Sequence, residues 1–309
     1  MEFKHVPVML EECMQALNLK DGGIYFDCTL GGAGHSYEIL KRTSPSGKLI
    51  ATDLDEDAIK AATERLSVFE GRFTVVKDNY KNFKNILNDL NIEAVDGILI
   101  DMGISSNQIA TRGMAYMEKD ARLDMRMDKS QDLDAWKVVN TYDEKRLADV
   151  IYKYGEEKFS FKIADNICKA RQIKSIDTTG ELVEIIDKSI PFKFKRDTHP
   201  AKKTFQAIRI EVNDELGGME QCIKDMVSRL KEGGRIAIMT FHSLEDRIVK
   251  LTLKDLETAC VCDKSFPICV CGRKQQVKLI NKKPIEATEE ELSRNSRAKS
   301  AKLRIAEKI

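Results

Sequence analysis

The chain has 309 residues, 51 basic against 50 acidic side chains, 42% hydrophobic and 33% charged; this is a globular composition, long enough for one large domain with an insertion or for two domains. No run approaches a membrane span, and Met1 to Leu10 lacks the basic start and apolar stretch of a secretion signal, so a cytoplasmic protein without a membrane partner is expected. Eight cysteines without an export signal argue for reduced thiols rather than a disulfide framework. The near-neutral total hides two basic segments: Lys188 to Thr204 carries six Lys or Arg against Asp197 alone, and Lys264 to Ile309 carries twelve against five acids. Such segments on an otherwise acidic chain suggest a surface for a polyanion, with a solvated helix face as the alternative for either one.

Pro7 to Leu17 alternates apolar and acidic residues at helical spacing and predicts an N-terminal helix with Pro7 near its first turn; His5 before it is either ligand-facing or solvent-exposed. Ile24 to Phe26 predicts the first strand and His35 to Lys41 the helix after it, with DCTLGGAGHS, residues 27–36, between them. A glycine-rich turn from strand to helix is where doubly wound α/β folds bind a cofactor, because Gly31, Gly32 and Gly34 let the backbone turn sharply and approach a ligand. The dinucleotide spacing G-x-G-x-x-G is absent: counted from Gly31 or Gly32, its later positions fall on Ala33, Ser36 or Tyr37. Asp27 at the strand end would repel a pyrophosphate and attract a cationic head, which points to S-adenosylmethionine, with its amino group and sulfonium.

Lys48 to Thr52 predicts the second strand, ending in Asp53 and Asp55. Asp53 can accept from both hydroxyls of a ribose, and Asp55 can cap a helix from Glu56 to Leu66. Phe73 to Val76 is the third strand, leading to Tyr80, which either flanks an adenine or packs in the core. Val95 to Ile100, apolar except for Asp96 and Gly97, suits a central parallel strand that delivers Asp101, followed by Met102, Gly103, Ile104 and Ser105. Ligands of open sheets bind beyond the carboxyl ends of the strands, so Asp27, Asp53 and Asp101 are expected to converge on one crevice.

Gln108 to Lys129 has no clear period, carries RLDMRMD at 122–128, and reads as a long loop, either functional or disordered. Asp132 to Ser189 predicts helices only: Glu144 to Tyr154, a break at Gly155, Phe159 to Arg171, and a helix capped by Thr178 that runs to Ser189. After a helix within 199–216 and another from Met219 to Leu230, stopped by Gly233 and Gly234, Arg235 to Thr240 is the fifth strand. It ends in FHSLEDR, residues 241–247, which puts His242 and Ser243 on the active-site side, Ser243 doubling as a helix N-cap. The expected organisation is a sheet domain over 1–108, an inserted helical substrate domain over 109–204, and the rest of the sheet domain over 205–309 with a basic tail. Cys260, Cys262, Cys269 and Cys271 form C-x-C, six residues, C-x-C, open to structural zinc, reduced surface thiols or redox pairing; none of these is catalytic, and no metal is assigned to the active site.

The strings HVPVMLEE, DCTLGGAGHS, DMGISS, RLDMRMD, HPAKKTFQAIRIEVN, FHSLEDRIVK and RNSRAKSAKLRIAE together resemble the MraW (also RsmH) family of S-adenosylmethionine-dependent methyltransferases, nearly end to end. The resemblance implies a class I, Rossmann-like methyltransferase sheet with an inserted all-helical domain, acting on the N4 amine of a cytidine in the decoding region of bacterial small-subunit (16S) rRNA, free or in a 30S particle. It also implies cofactor contacts at Ala33, Gly34, His35, Asp53, Tyr80, Asp101 and Gln108, with Ala33 where many members have glycine and Tyr80 where some have phenylalanine. From the residues themselves, Asp27 and Gly31 join the cofactor set, and Asp101 is the acceptor for the amine hydrogens, with Ser105, His242 and Ser243 as further catalytic candidates. No Pro-Cys pair offers the nucleophile that carbon-5 methylation needs. A ribose 2′-O-methyltransferase of the same fold and a non-catalytic RNA-binding assembly factor are the alternatives; Arg209, Arg294, Arg297 and Lys299 are candidate phosphate partners.

Overall fold

The computed structural model describes residues 7–104, 109, 111–117, 121–195, 199–263 and 268–309. The chain divides into two compact units, one combining the stretch up to Gly103 with Gly218–Ile309, the other Ile104–Gly217. The first unit holds seven strands: β1 (Ile24–Asp27), β2 (Lys48–Asp53), β3 (Phe73–Lys77), β4 (Val95–Asp101), β5 (Leu230–Thr240), β6 (Val277–Leu279) and β7 (Lys302–Lys308). They lie in the order β3-β2-β1-β4-β5-β7-β6; β1 to β5 are parallel, and β7 runs antiparallel to both β5 and β6. The architecture is the expected α/β one, and the strand order reverses direction between β1 and β4, where open sheets form their ligand crevice.

The central strands are apolar runs because both their faces are covered: Tyr25, Phe26, Ile98, Leu99 and Ile100 are all buried. The two interruptions in β4 have local reasons. A Cβ on Gly97 would lie 2.8 Å from the Tyr25 ring, and the Asp96 carboxylate accepts from the Ile24 N–H at 2.8 Å and from Lys231 at 2.7 Å. Helix α1 (Leu10–Leu17) starts later than Pro7 because Met9 adopts φ 51°, outside the right-handed region. Helices α2 (Gly34–Arg42) and α3 (Glu56–Leu66) follow β1 and β2, and Asp55 caps α3 by accepting from the Asp57 N–H, as expected. Helix α4 (Phe83–Asp89) is pinned through Phe83, which meets Phe26 edge-on at 4.8 Å between ring centres.

The second unit is helical: α5 (Ala135–Thr141), α6 (Glu144–Gly155), α7 (Ser160–Arg171), α8 (Thr179–Ser189) and α9 (Ala201–Asn213). Asp134 and Asp143 cap α5 and α6, while Thr178 and Glu181 form the reciprocal capping box of α8. Helix α5 was not among the expected elements; its start is marked only by Asp134, and Trp136 anchors it by donating from Nε1 to Asp177 at 2.8 Å. The insertion closes at Gly217 rather than at Thr204, because α9 continues unbroken through Thr204 and buries Phe205, Ala207 and Ile208 against Leu147, Ile151 and Leu182. Arg209 is corrected from a phosphate partner to a structural one, since it holds Glu215 through two bonds of 2.7 and 2.9 Å and is largely buried. The RLDMRMD segment is no free loop: Leu123 and Met125 are in the core, Arg126 clasps Asp124, and Asn213 bonds the backbone of Met125 and Met127.

Back in the sheet unit, α10 (Met219–Ser228) ends two residues before the expected Leu230, which already pairs with Val95, so Gly233 lies within β5 instead of stopping a helix. Helix α11 (Ser243–Glu257) follows β5, and α12 (Glu289–Arg294) precedes β7. The expected basic tail is in fact β7, paired with β5 along six residues, with Leu303, Ile305 and Ala306 buried. Its Arg304 is also buried, its charge met by Asp246 of α11 at 2.7 and 3.1 Å. Among the described residues no helix is long and apolar enough to cross a membrane.

Gly155, read from sequence as a break, closes α6 at a point where a Cβ would lie 2.7 Å from the Lys203 carbonyl oxygen of α9. Because backbone cannot yield as a side chain does, Gly155→Ala is expected to destabilise the helical unit by about 1–3 kcal/mol. Chemical denaturation followed by circular dichroism checks this, and an unchanged midpoint would show that the two helices separate without cost.

Candidate active site

Three carboxylates stand at the carboxyl ends of neighbouring strands: Asp53 ends β2, Asp27 ends β1 and Asp101 ends β4. Each is held by donors of the turn it opens. The Asp53 Oδ2 accepts from the Gly31 N–H at 2.8 Å and its Oδ1 from the Asp55 N–H at 2.9 Å, which ties the glycine turn to the tip of β2. Gly31 has φ 46° and Ala33 φ 55°, so the turn uses the left-handed region twice, and Ala33 is fully buried. Gly34 needs its missing Cβ, which would lie 2.9 Å from the Pro7 ring.

Asp27, 1% exposed, accepts from the Ser36 hydroxyl at 2.6 Å and from the Thr29 N–H at 3.1 Å. It therefore braces the turn from beneath. Burial outweighs those donors and His35, and pushes its carboxyl up to about 6. Asp101 receives the Gly103 N–H on Oδ1 at 3.1 Å, and its own N–H donates to the Thr29 hydroxyl at 2.8 Å. Its Oδ2 lies 3.9 Å from His35 Nδ1. The other ring nitrogen, Nε2, is 3.0 Å from the Val8 carbonyl, which can only accept, so Nε2 carries a proton and Nδ1 faces the carboxylate. Burial also raises the Asp101 carboxyl, aided by Glu245 and opposed by His35, the Gly103 N–H and Arg297.

The β5–α11 turn is organised differently from expectation. His242, not Ser243, is the N-cap: its Nδ1 accepts from the Glu245 N–H at 3.4 Å, while the Glu245 carboxylate receives the N–H groups of Phe241 and His242. An imidazole can serve because Nδ1 sits at the same reach as a cap oxygen. The His242 Nε2 lies 2.9 Å from Glu245 Oε1 but at an angle that leaves it without a hydrogen bond, so a polar atom remains buried there. Ser243, the first residue of the helix, is exposed. Tyr80 follows Asn79 into a single 3-10 turn and is half-buried, its carbonyl accepting from the Cys222 thiol at 3.6 Å. Ser105 and Gln108 lie outside the described residues, as does His5.

Residues 2–309 match the sequence profile of the MraW methylase family. The chain belongs to this family. A relative from Clostridium botulinum (strain Kyoto / Type A2), named ribosomal RNA small subunit methyltransferase H, is 57% identical over 311 residues and covers all of both chains. One of the same name from Finegoldia magna is 55% identical over 313 residues, again covering both chains in full. Among solved structures, an rRNA methylase from Streptococcus thermophilus aligns over 99% of each chain at 12% identity with a TM-score of 0.42.

Within this MraW chain, sequence reasoning overlooked Thr29 and Ser36, which bond the strand ends, and the charges of Glu245 and Arg297 that act on Asp101, Arg297 having counted only as a phosphate candidate. Glu245 had a legible signal, since it stands three residues after its cap as in a capping box. Arg297 had none, being brought near Asp101 only by the return of the chain to β7.

Asp27 gives a testable pH dependence. Its folded-state pKa is raised, so its contribution favours the fold at pH values below the unfolded value near 3.8 and is lost as pH rises through about 6. The full effect is on the order of 3 kcal/mol. Asp27→Asn cannot titrate, so its urea midpoint is expected to change less than that of the parent between about pH 4 and pH 7. Parallel midpoint curves for the two proteins would refute the assignment.

Proposed function

We propose that this protein transfers a methyl group from S-adenosylmethionine to the N4 amine of a cytidine in the decoding region of small-subunit rRNA. The observation that carries this reading is the set of strand-end carboxylates around a glycine turn, with Asp101 oriented at the switch point by the Gly103 N–H and flanked by His35. The donor set suits a cofactor with ribose hydroxyls and a cationic head. Asp53 keeps lone pairs beyond the two backbone bonds it accepts, enough for ribose hydroxyls. Asp27, too buried for broad contact, contributes its field beneath the turn of Gly31, Ala33, Gly34 and His35. Tyr80 offers a ring edge for the adenine, and Gln108 is the remaining expected contact. Bound S-adenosylmethionine supplies an electrophilic methyl group on a sulfonium.

The residues of the chain then have to align and polarise the amine. Cytosine N4 is a poor nucleophile because its lone pair is delocalised into the ring, and a carboxylate accepting from its hydrogens relieves the charge that develops during attack. Asp101 fills this role, with its Oδ1 oriented by the Gly103 N–H. His35 is a positioning residue, its Nε2 held by the Val8 carbonyl so that the ring stands beside Asp101 with Nδ1 3.9 Å from the carboxylate. Ser105 and Ser243 remain candidates for contacts to the base; His242 acts through the cap of α11 that sets the turn. The helical unit supplies substrate recognition, and the exposed Arg294 and Lys299 meet phosphates, so RNA affinity falls steeply with salt. A base drawn from structured rRNA has to be unstacked first. Such a substrate places the protein in the cytoplasm.

The direct test is incubation with tritiated S-adenosylmethionine and, separately, naked 16S rRNA and 30S particles, followed by mapping of the labelled nucleoside. N4-methylated cytidine from either substrate supports the reading; label on a ribose 2′-hydroxyl or on carbon 5 overturns it. Asp53→Ala is expected to weaken cofactor binding by about 1–3 kcal/mol, the usual loss for a charged hydrogen-bond partner, as read by calorimetry. Asp101→Asn is expected to cut single-turnover methylation at saturating cofactor by on the order of a hundredfold or more, since the amide is a weaker acceptor and can present a donor to the amine. Turnover restored at saturating cofactor would make Asp101 a binding residue only.

A further inference from the structure

The segment between α11 and β6 leaves the sheet unit and returns to it within a narrow neck. At its base the Gln276 N–H donates to the Leu256 carbonyl at 2.9 Å, and Arg273 pairs with Asp255 at 2.7 Å. Between the neck residues, none of the described residues from 258 to 275 is buried, and Val261, Ile268 and Val270 are 61%, 74% and 74% exposed. Among the described residues, apolar burial therefore does not hold this excursion together.

Four cysteines do meet inside it. The Sγ atoms of Cys260, Cys262, Cys269 and Cys271 all lie within 4.8 Å of one another. Four of the separations are 3.4 Å (Cys260–Cys269), 3.9 Å (Cys262–Cys269), 3.5 Å (Cys269–Cys271) and 3.8 Å (Cys260–Cys271). All four cysteines are free, and every separation is far longer than the roughly 2.05 Å of a disulfide. A regular tetrahedron of sulfurs around zinc, with bonds of about 2.3 Å, has edges of about 3.8 Å. The observed spacings bracket that edge. Two backbone N–H groups point at the sulfurs as well, Cys262 N–H to Cys260 at 3.4 Å and Val270 N–H to Cys262 at 3.3 Å, an arrangement that stabilises thiolates.

We propose that Cys260, Cys262, Cys269 and Cys271 bind one structural zinc ion that closes the loop between α11 and β6. Four thiolates leave no open position, so the ion is structural and does not take part in methyl transfer. A soft, all-sulfur tetrahedral set selects zinc over the hard cations that prefer oxygen. An iron–sulfur cluster fits less well, because it spreads its thiolates over several irons, whereas these four sulfurs are mutually close enough to share one ion. Binding displaces the thiol protons, so affinity falls as pH falls. The tight C-x-C pairs are tolerated because the two pairs come from opposite arms of the loop, and each supplies one edge of the tetrahedron.

The test is elemental analysis of the full-length protein purified without chelator from zinc-supplemented cells, with thiol titration beside it. The expected result is close to one zinc per chain, with iron and acid-labile sulfide near background, and zinc released when a mercurial blocks the thiols. Reconstitution of chelator-treated protein with Co(II) is expected to give the visible d–d bands of a tetrahedral thiolate site. Losing an outer hydrogen-bond partner of a ligand lowers metal affinity by roughly 10–100-fold, and Cys271→Ser, which removes a ligand, is expected to lose more. Cys168→Ser, outside the cluster, is expected to retain the metal, and both variants to bind S-adenosylmethionine as the parent does. Protein that carries no zinc, takes up no Co(II), and has four freely titratable thiols or two disulfides here overturns the proposal; so does stoichiometric iron with sulfide.

Discussion

Burying negative charge at the carboxyl edge of the sheet is the constraint on which the rest of the first unit depends. Asp27 is withdrawn from water at the switch point, Asp53 and Asp101 are half-buried there, and an unpaired buried carboxylate would neutralise itself or open the fold. The chain answers with local donors. Thr29 and Ser36 serve Asp27, Gly31 and Asp55 serve Asp53, and Gly103 serves Asp101. The same donors shape the turns, so satisfying the carboxylates and building the turns at the switch point are one requirement. Gly31 takes part in both, donating its N–H to Asp53 while its positive φ lets the turn continue into α2.

The donors do not fully compensate, since burial leaves all three carboxyls raised above their ordinary range. A site in this condition gains from any cation that enters it. His35 stands beside Asp101, held there by the Val8 carbonyl, which is itself carried on the turn before α1. The N-terminal segment thus reaches the switch point through Pro7 packed on Gly34 and through Val8 bonded to His35. Its contribution is to position groups, and it does so from outside the sheet.

What the sequence made legible follows from the range of the forces involved. Parallel strands β1 to β4, the caps at Asp55 and Thr178, and the strand-end acids are encoded by neighbours within a few residues, and they stand where expected. The misses needed contacts from far along the chain. β7 was read as a basic tail because Lys302, Arg304, Glu307 and Lys308 mask an alternation of Leu303 and Ile305, and only pairing with β5 buries that face. Arg209 looked like a phosphate partner because the bidentate Glu215 lies beyond the helix end at Asp214, where the chain turns back in the left-handed region.

The cysteine loop obeys the opposite logic from the rest of the sheet unit. Elsewhere in that unit a returning segment is held by its apolar face, as β7 is by Leu303 and Ile305. Between α11 and β6 the described apolar residues Val261, Ile268 and Val270 point to solvent, while the four sulfurs converge on one another. A short excursion cannot enclose a hydrophobic core of its own, and small segments of that kind are stable only with a cross-link or a metal. With the sulfurs too far apart for disulfides and too close for separate ions, a shared tetrahedral centre is the arrangement that accounts for both the convergence of the thiols and the exposure of the apolar side chains.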